Sequence, residues 1–483
     1  MSEALKIHTV RTQIVGADTR VQVLDGSLPM YVNFDNASST PALRPALDAI
    51  TKILPWYGSV GRGAGFKSYL STSMFEEARQ LVGEFVGANS DSHVVIFAKN
   101  TTEAINKLAH RFHFSEGDIV LASLMEHHSN DLPWRSAADV RHIAVDSIGA
   151  LDMDHLKHLL AELAPRVRLV AITGASNVTG HINPVHEIAE LAHEAGAQVL
   201  VDAAQLAPHR SISIGEPDDP SHIDYLAYTA HKMYAPFGIG ALVADRETFL
   251  EGDPDCVGGG TVDLVTTDAA HWAELPQREE AGTPNVIGAI AWAAAIAALQ
   301  EIGMEQIAAH EAQLTAYFLA RLESIEGATV YGASDPVSAS NRLGVVPIGV
   351  DGVHHHLVAA ILGYEGGIGV RSGLFCAHPY LIELLGISPQ QVALQRKEIE
   401  TGRQGLLPGL TRISFGVYND ETEIDRLTDT LDRIVRGQQQ GNYEQDHTSG
   451  AFSPQGFSYA DFRYSHTQNG IPSPRPSSLK RQV

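Results

Sequence analysis

Ala197-Gln198-Val199-Leu200-Val201-Asp202-Ala203-Ala204-Gln205 and, further along, Tyr225-Leu226-Ala227-Tyr228-Thr229-Ala230-His231-Lys232 decide the fold. Each stretch carries a short apolar run, the pattern of a strand buried on both faces of a parallel sheet. Asp202 then falls at the carboxyl end of one strand, and Thr229, His231 and Lys232 at the end of the next. Open α/β sheets bind their ligands along that edge. Taken singly, Asp202 reads as a helix cap and Lys232 as a solvated lysine, the commoner fates of these residue types. Together they bring a carboxylate and an amine to one edge.

The surroundings agree. Between about 70 and 300 an amphipathic stretch at 74–87, apolar runs at 94–97, 119–122 and 169–172, and a helical pattern at 184–196 alternate. Such alternation predicts an α/β fold, a mostly parallel sheet with flanking helices. Residues 286–326 read as long helices punctuated by Gly303, and 327–436 mix strands with helices as a smaller α+β domain. The expected division is an N-terminal segment of the small domain (1–45), a large domain (46–300), a small C-terminal domain (301–436) and a tail (437–483). The tail, rich in Ser, Pro, Gly and Gln, is expected to be disordered because it buries too little apolar surface. Its aromatics Phe452, Phe457, Tyr459, Phe462 and Tyr464 leave open that it packs on its own or a partner subunit.

At 483 residues the chain exceeds one core, and a 44% apolar fraction is ordinary for a globular protein. A formal charge of −23 repels nucleic acid and anionic membranes, so neither is an expected partner. Two cysteines, Cys256 and Cys376, exclude a disulfide framework and suggest a reducing compartment. The first residues lack a signal-peptide core, and the apolar run near 287–299 is too short to span a bilayer. A cytoplasmic protein is expected.

An amine that forms a Schiff base and a carboxylate that keeps a pyridinium nitrogen protonated are the requirements of pyridoxal phosphate, to which Lys232 and Asp202 correspond. Asn100-Thr101-Thr102-Glu103 follows a strand and opens a helix, where amides and hydroxyls cradle a phosphate or simply cap the helix. Cys376 lies in Gly373-Leu374-Phe375-Cys376-Ala377-His378-Pro379, a segment bounded by Gly and Pro that suggests a loop. A cationic Arg371 or His378 nearby would lower its pKa, whereas a buried small hydrophobe is the plain alternative. Cys256 has no such context and reads as structural. His127-His128 and His354-His355-His356 invite a metal, but adjacent histidines point apart and no acidic or Cys cluster accompanies them; no metal is expected.

Further blocks extend the pattern: Asp35-Asn36-Ala37-Ser38-Ser39, Asn100 to Asn106, Glu126-His127-His128-Ser129-Asn130, Ser176-Asn177-Val178-Thr179-Gly180, Gly258-Gly259-Gly260-Thr261, Ala281-Gly282-Thr283-Pro284-Asn285, Val370 to Cys376, and Arg412-Ile413-Ser414. In this order, over roughly residues 30–436, the chain resembles the class V aminotransferase group of pyridoxal phosphate enzymes, in particular cysteine desulfurases and selenocysteine lyases. The resemblance implies a fold-type-I homodimer with shared sites and assigns roles. Thr101, Thr102, Thr229 and His231 would hold the phosphate, with Thr261 reaching that of the neighbouring subunit. His127 would stack on the ring and exchange protons, as an imidazole with a pKa near neutrality can. Asn177 and Gln205 would bond the ring hydroxyl. Ala37, Asn177, Arg371 and Arg412 would contact substrate, the last through a guanidinium fork on its carboxylate.

Catalysis would rest on Lys232, His127 and Cys376, converting L-cysteine to L-alanine and passing sulfur to Cys376 as a persulfide, with a sulfur-acceptor protein beyond. A C–S β-lyase, selenocysteine lyase or epimerase not using Cys376, or an idle scaffold, is the alternative. Three departures bear on the substrate. Gly61-Arg62-Gly63-Ala64-Gly65 stands where relatives often have His-Arg-Gly-x-His, Leu374-Phe375 replaces a polar pair, and about twenty residues (387–407) are inserted before Arg412.

Overall fold

The structure, a computed structural model, describes residues 5–61, 63–400, 407–446 and 448–457. Among them a seven-stranded sheet forms from β1 (His93–Ala98), β2 (Ile119–Ser123), β3 (Asp139–Ile143), β4 (Val167–Thr173), β5 (Gln198–Asp202), β6 (Tyr225–Thr229) and β7 (Gly240–Asp245). Their order is β1-β7-β6-β5-β4-β2-β3. Only β7 runs against its neighbours, so the others all end on one edge. The expected mostly parallel sheet with flanking helices is present.

Alternation along the strands explains why helices cover both faces. In β4, Val170 and Ile172 join one apolar cluster while Leu169 and Ala171 join the other. One face is covered by α1 (Phe66–Phe85), α3 (Val185–Glu194) and α4 (Val286–Ile302), the other by α2 (Thr101–Arg111). Helix α4 is apolar all round because it is wrapped on all sides, with Trp292 fully buried. Gly303, at φ +94°, turns the chain into α5 (Met304–Leu322). Among the described residues no single helix is long and apolar enough to cross a membrane.

A second, antiparallel sheet has the order β8-β9-β11-β10, from β8 (Ala328–Val330), β9 (Val345–Val350), β10 (Arg371–Gly373) and β11 (Leu410–Ser414). Its own core includes Phe318, Ile348, Phe415 and Leu427, with α5, α6 (His355–Gly366) and α7 (Glu421–Val435) contributing. Part of the N-terminal segment enters this unit, Val32 and Asn33 pairing with Ile368 and Gly369 and Phe34 packing edge-on against Phe415, while Val10, Ile14 and Leu43 pack in the core of the large sheet.

One stretch differs from expectation. Within the tail expected to be disordered, Tyr443–Gln445 and Phe452–Pro454 pair as an antiparallel hairpin. It is anchored on Glu365, which accepts hydrogen bonds from Gln440 N, Gly441 N and Tyr443 Oη. Phe457 meets Tyr364 edge-on, so the aromatics supply the apolar contact that composition did not promise. Tyr459, Phe462, Tyr464 and the remainder to 483 lie outside the described residues, as do 401–406 of the insertion. The preceding part of the insertion forms the helix Pro389–Glu400, with none of its residues buried.

Candidate active site

At the carboxyl edge of the large sheet lies a cavity of about 240 Å³. It is lined by Lys232, Asp202, His127, Cys376, Arg371 and Arg412, and by the other site residues predicted, Ala37, Thr101, Thr102, Asn177, Gln205, Thr229 and His231; Thr261 alone is missing. Topology explains the gathering, since β1, β2, β4, β5 and β6 each end there and the small sheet closes the top with β10 and β11.

Burial sets the charges. The Lys232 amine is pushed down to about 8, with Asp202 opposing and Arg412 reinforcing the effect. Asp202, 4% exposed, is held above the usual carboxylate range by desolvation, against a hydrogen bond from Ala204 N at 3.0 Å. Behind it Glu126 is pushed up to about 8 by burial although Ser123 Oγ, Thr173 N and Asn130 Nδ2 all donate to it. A hydrogen-bonded acid among the block 126–130 is a sign that the sequence reading passed over.

His127 corrects an expectation. Its imidazole is not near neutrality in pKa but pushed down to about 3, by burial first and then by Lys232. The ring is therefore neutral at pH 7, and Ser129 N donates to its Nδ1 at 3.1 Å. The proton consequently sits on Nε2. Ser129 Oγ lies 2.9 Å from the same Nδ1 and 2.6 Å from Thr102 Oγ1, linking the ring to the start of α2. Ser129 is thus a site residue that sequence reasoning missed.

At that helix start Asn100 Oδ1 accepts from Glu103 N at 3.0 Å, so capping and an anion-facing terminus coexist. The helix can come this close only because residue 240 is glycine: a Cβ there would sit 2.8 Å from the Asn100 carbonyl carbon and 2.9 Å from the Tyr228 oxygen. Thr101 Oγ1 is buried without a hydrogen-bond partner among the described residues. Thr229 Oγ1 donates to Ile239 O, and His231, pushed down to about 4 by burial, is neutral.

On the small-domain side Arg412, 2% exposed, donates from Nη1 to Asn177 O at 2.9 Å and from Nη2 to Asp35 Oδ1 at 2.9 Å and Ser38 Oγ at 2.8 Å. Its Nε has no partner among the described residues, and its guanidinium lies 5.1 Å from the Phe375 ring centroid. Gln205 Nε2 donates to Ala37 O and Asn177 Nδ2 to Phe375 O, each at 2.7 Å. Either amide nitrogen retains a second hydrogen.

Cys376 and Arg371 are both exposed residues of the cavity lining. Phe375 and Cys376 both adopt left-handed backbone, φ +50° and +53°, a conformation that needs external support in residues with a Cβ. Support comes from Asn177 on the Phe375 carbonyl and from His128 N on the Cys376 carbonyl at 2.7 Å. His128 Nε2 also accepts from His378 N at 3.2 Å. His378 itself is lowered by burial, so the cation expected of it is absent at neutral pH. Cys256, expected to be structural, is exposed.

Thr261 is fully buried but away from the cavity, its hydroxyl donating to Gly258 O at 2.8 Å. The fold of one chain does not carry that loop to its own site.

The residues fit pyridoxal phosphate on this geometry: an unpartnered buried hydroxyl at a helix start, a buried carboxylate and a buried amine whose pKa is lowered to about 8. The family model for aminotransferase class V matches residues 32–427, covering both sheets and every lining residue. The chain belongs to the class V aminotransferase family. Among class V relatives, a cysteine desulfurase of Haloferax volcanii is 35% identical over 417 residues, spanning 84% of this chain and 90% of the relative. One from Cronobacter sakazakii is 36% identical over 390 residues, spanning 79% and 87%. The solved apo cysteine desulfurase of Thermococcus onnurineus superposes with a TM-score of 0.76 at 31% identity, covering 90% of this chain and all of that one. A cysteine desulfurase of Escherichia coli in an S-sulfonic acid form gives 0.73 at 27%, covering 90% and 99%.

Proposed function

We propose that the chain is a pyridoxal phosphate-dependent cysteine desulfurase that converts L-cysteine to L-alanine and takes the sulfur onto Cys376 as a persulfide. The observation that carries this reading is the exposed Cys376, held on a braced left-handed turn in the lining that also contains Lys232 and Arg412.

When bound, pyridoxal phosphate would supply the electron sink that stabilises negative charge at the substrate Cα. The chain does the rest. Thr101 and Thr102, with the amides opening α2, and His231 would hold its phosphate, joined by Thr229 once its hydroxyl turns from Ile239 O. Asp202 fixes a proton at a ring nitrogen. Lys232, in its neutral form, accepts the Cα proton and returns it. His127 presents a neutral Nε2–H that donates a hydrogen bond without adding charge. Arg412 and Asn177 orient the substrate carboxylate. The Cys376 thiolate attacks the substrate sulfur; the S–S bond forms as the Cβ–S bond breaks, and protonation of the remaining carbon skeleton completes alanine.

The acid test is the carbon skeleton. Incubated with L-cysteine, the protein should yield alanine together with sulfide released by reductant, while pyruvate and ammonia would indicate direct elimination and overturn the proposal. A homodimer sharing its sites is part of the reading, supported by Thr261 lying outside its own cavity and by exposed apolar residues such as Phe66, Tyr69, Leu264 and Val265. A sulfur-acceptor protein, cytoplasmic residence and the division at 45, 300 and 436 belong to the same proposal; the separate core under the small sheet supports the division.

A further inference from the structure

At the opposite edge of the large sheet, His193 at the end of α3 and His222 in the loop before β6 converge on Asp224. His193 Nε2 lies 2.9 Å from Asp224 Oδ2, and His222 Nε2 lies 3.5 Å from Asp224 Oδ1. The two rings stack at 4.4 Å. Five residues of β6 separate Asp224 from the turn bearing Lys232, about 16 Å along a strand at about 3.3 Å per residue. The cluster therefore takes no part in the chemistry above.

The outer hydrogen bonds settle the tautomers. His193 Nδ1 lies 2.7 Å from Pro220 O and His222 Nδ1 lies 2.6 Å from Asp219 O. A carbonyl oxygen only accepts, so both Nδ1 atoms carry the hydrogen. In neutral rings both Nε2 atoms are then bare lone pairs, aimed at a carboxylate that is itself only an acceptor. Asp224 is pinned in place by Val199 N at 2.7 Å and Gln198 Nε2 at 3.3 Å. Something positive has to occupy the space between these three groups. Protons can, and Asp224 does hold both imidazoles above their ordinary pKa. A divalent cation satisfies all three at once.

We propose that His193, His222 and Asp224 form a structural site for a borderline divalent metal, with Zn²⁺ as its ligand, fastening the loop at 215–222 onto α3. Bonds of about 2.0–2.2 Å in tetrahedral geometry place ligand atoms about 3.3–3.6 Å apart, a spacing met by His222 Nε2 and Asp224 Oδ1 at 3.5 Å and approached from below by His193 Nε2 and Asp224 Oδ2 at 2.9 Å. Imidazole and carboxylate suit zinc, and the backbone carbonyls behind both rings are the outer partners that orient such ligands. All three ligand atoms lie within 4.8 Å of one another. Water completes the fourth position.

The test uses full-length protein carrying its cofactor and the Cys256→Ser and Cys376→Ser substitutions, so that thiolates bind no zinc. After stripping with chelator, equilibrium dialysis against Zn²⁺ should give one ion per chain and a rise in Tm. His222→Ala, on the exposed loop, and His193→Gln should each weaken binding at least tenfold and abolish the rise. Either variant suffices if the other folds poorly. No bound zinc in the parent protein, or binding unchanged in a folded variant, overturns the proposal. In the protein with both cysteines, His222→Ala should leave turnover intact.

Discussion

Arg412 Nη2 lies 2.9 Å from Asp35 Oδ1, so the guanidinium expected to seize the substrate carboxylate already holds a carboxylate of its own chain. The contact ties the N-terminal segment to β11, which Asp35 also meets through a bridge to Ser414, with Ser38 Oγ donating to the same Asp35 oxygen at 2.6 Å. Substrate must share Arg412 with Asp35 or displace it.

Removing that competitor gives a prediction of unusual sign. Asp35→Asn should lower KM for L-cysteine several-fold while lowering Tm, because a buried guanidinium loses its counter-charge. Arg412→Lys should instead reduce kcat/KM by roughly 10- to 150-fold, the equivalent of about 1.5–3 kcal/mol for charged hydrogen bonds. Steady-state kinetics of the two variants check both; an unchanged KM in Asp35→Asn would mean that substrate does not contend for Arg412.

Cofactor capture should follow the ionisation of Lys232. The neutral amine is the reactive form, and with a pKa of about 8 it is roughly one-tenth populated at pH 7. Uptake of pyridoxal phosphate by cofactor-free protein, followed by near-visible absorbance, should therefore quicken about tenfold from pH 6 to 7 and level off above about 8. Borohydride should fix the cofactor in wild type and not in Lys232→Ala. A flat rate across this range would contradict the depressed pKa.

Thr101 offers a pair of opposite effects. Its hydroxyl is buried and unpartnered among the described residues, so Thr101→Val should leave the cofactor-free protein as stable as before or more so. The same substitution should weaken pyridoxal phosphate binding about tenfold, measured by spectroscopic titration. Equal affinity in the variant would remove Thr101 from the phosphate site.

Cys376→Ser should stop alanine formation while cofactor absorbance and its shift on adding L-cysteine persist, because binding rests on Lys232 and Arg412. Continued turnover to pyruvate in this variant would identify a lyase.

The hairpin at 443–454 bears on the chain's end. Truncation after Arg436 should keep the cofactor but lower Tm by a few degrees, since Glu365 loses the three donors it has there. Truncation after Phe457, which keeps the hairpin, is the reference. Equal Tm in the two truncated proteins would show that the hairpin adds no stability.

Local pattern was enough to place Asp202 and Lys232, because strands buried on both faces carry an apolar run legible without any partner and end where ligands bind. The motif order likewise led to Thr101, Asn177, Cys376 and Arg412, all of which line one cavity. Charge states were not legible. Whether His127 is neutral, which nitrogen bears its proton, and how far Lys232 is depressed depend on desolvation and on donors such as Ser129 N and the distant Arg412, which only packing brings near. Nor did composition disclose the hairpin on Glu365 or the meeting of His193, His222 and Asp224. Contacts of that kind join elements far apart in sequence, and their energies depend on distance and burial, so tertiary structure alone decided them.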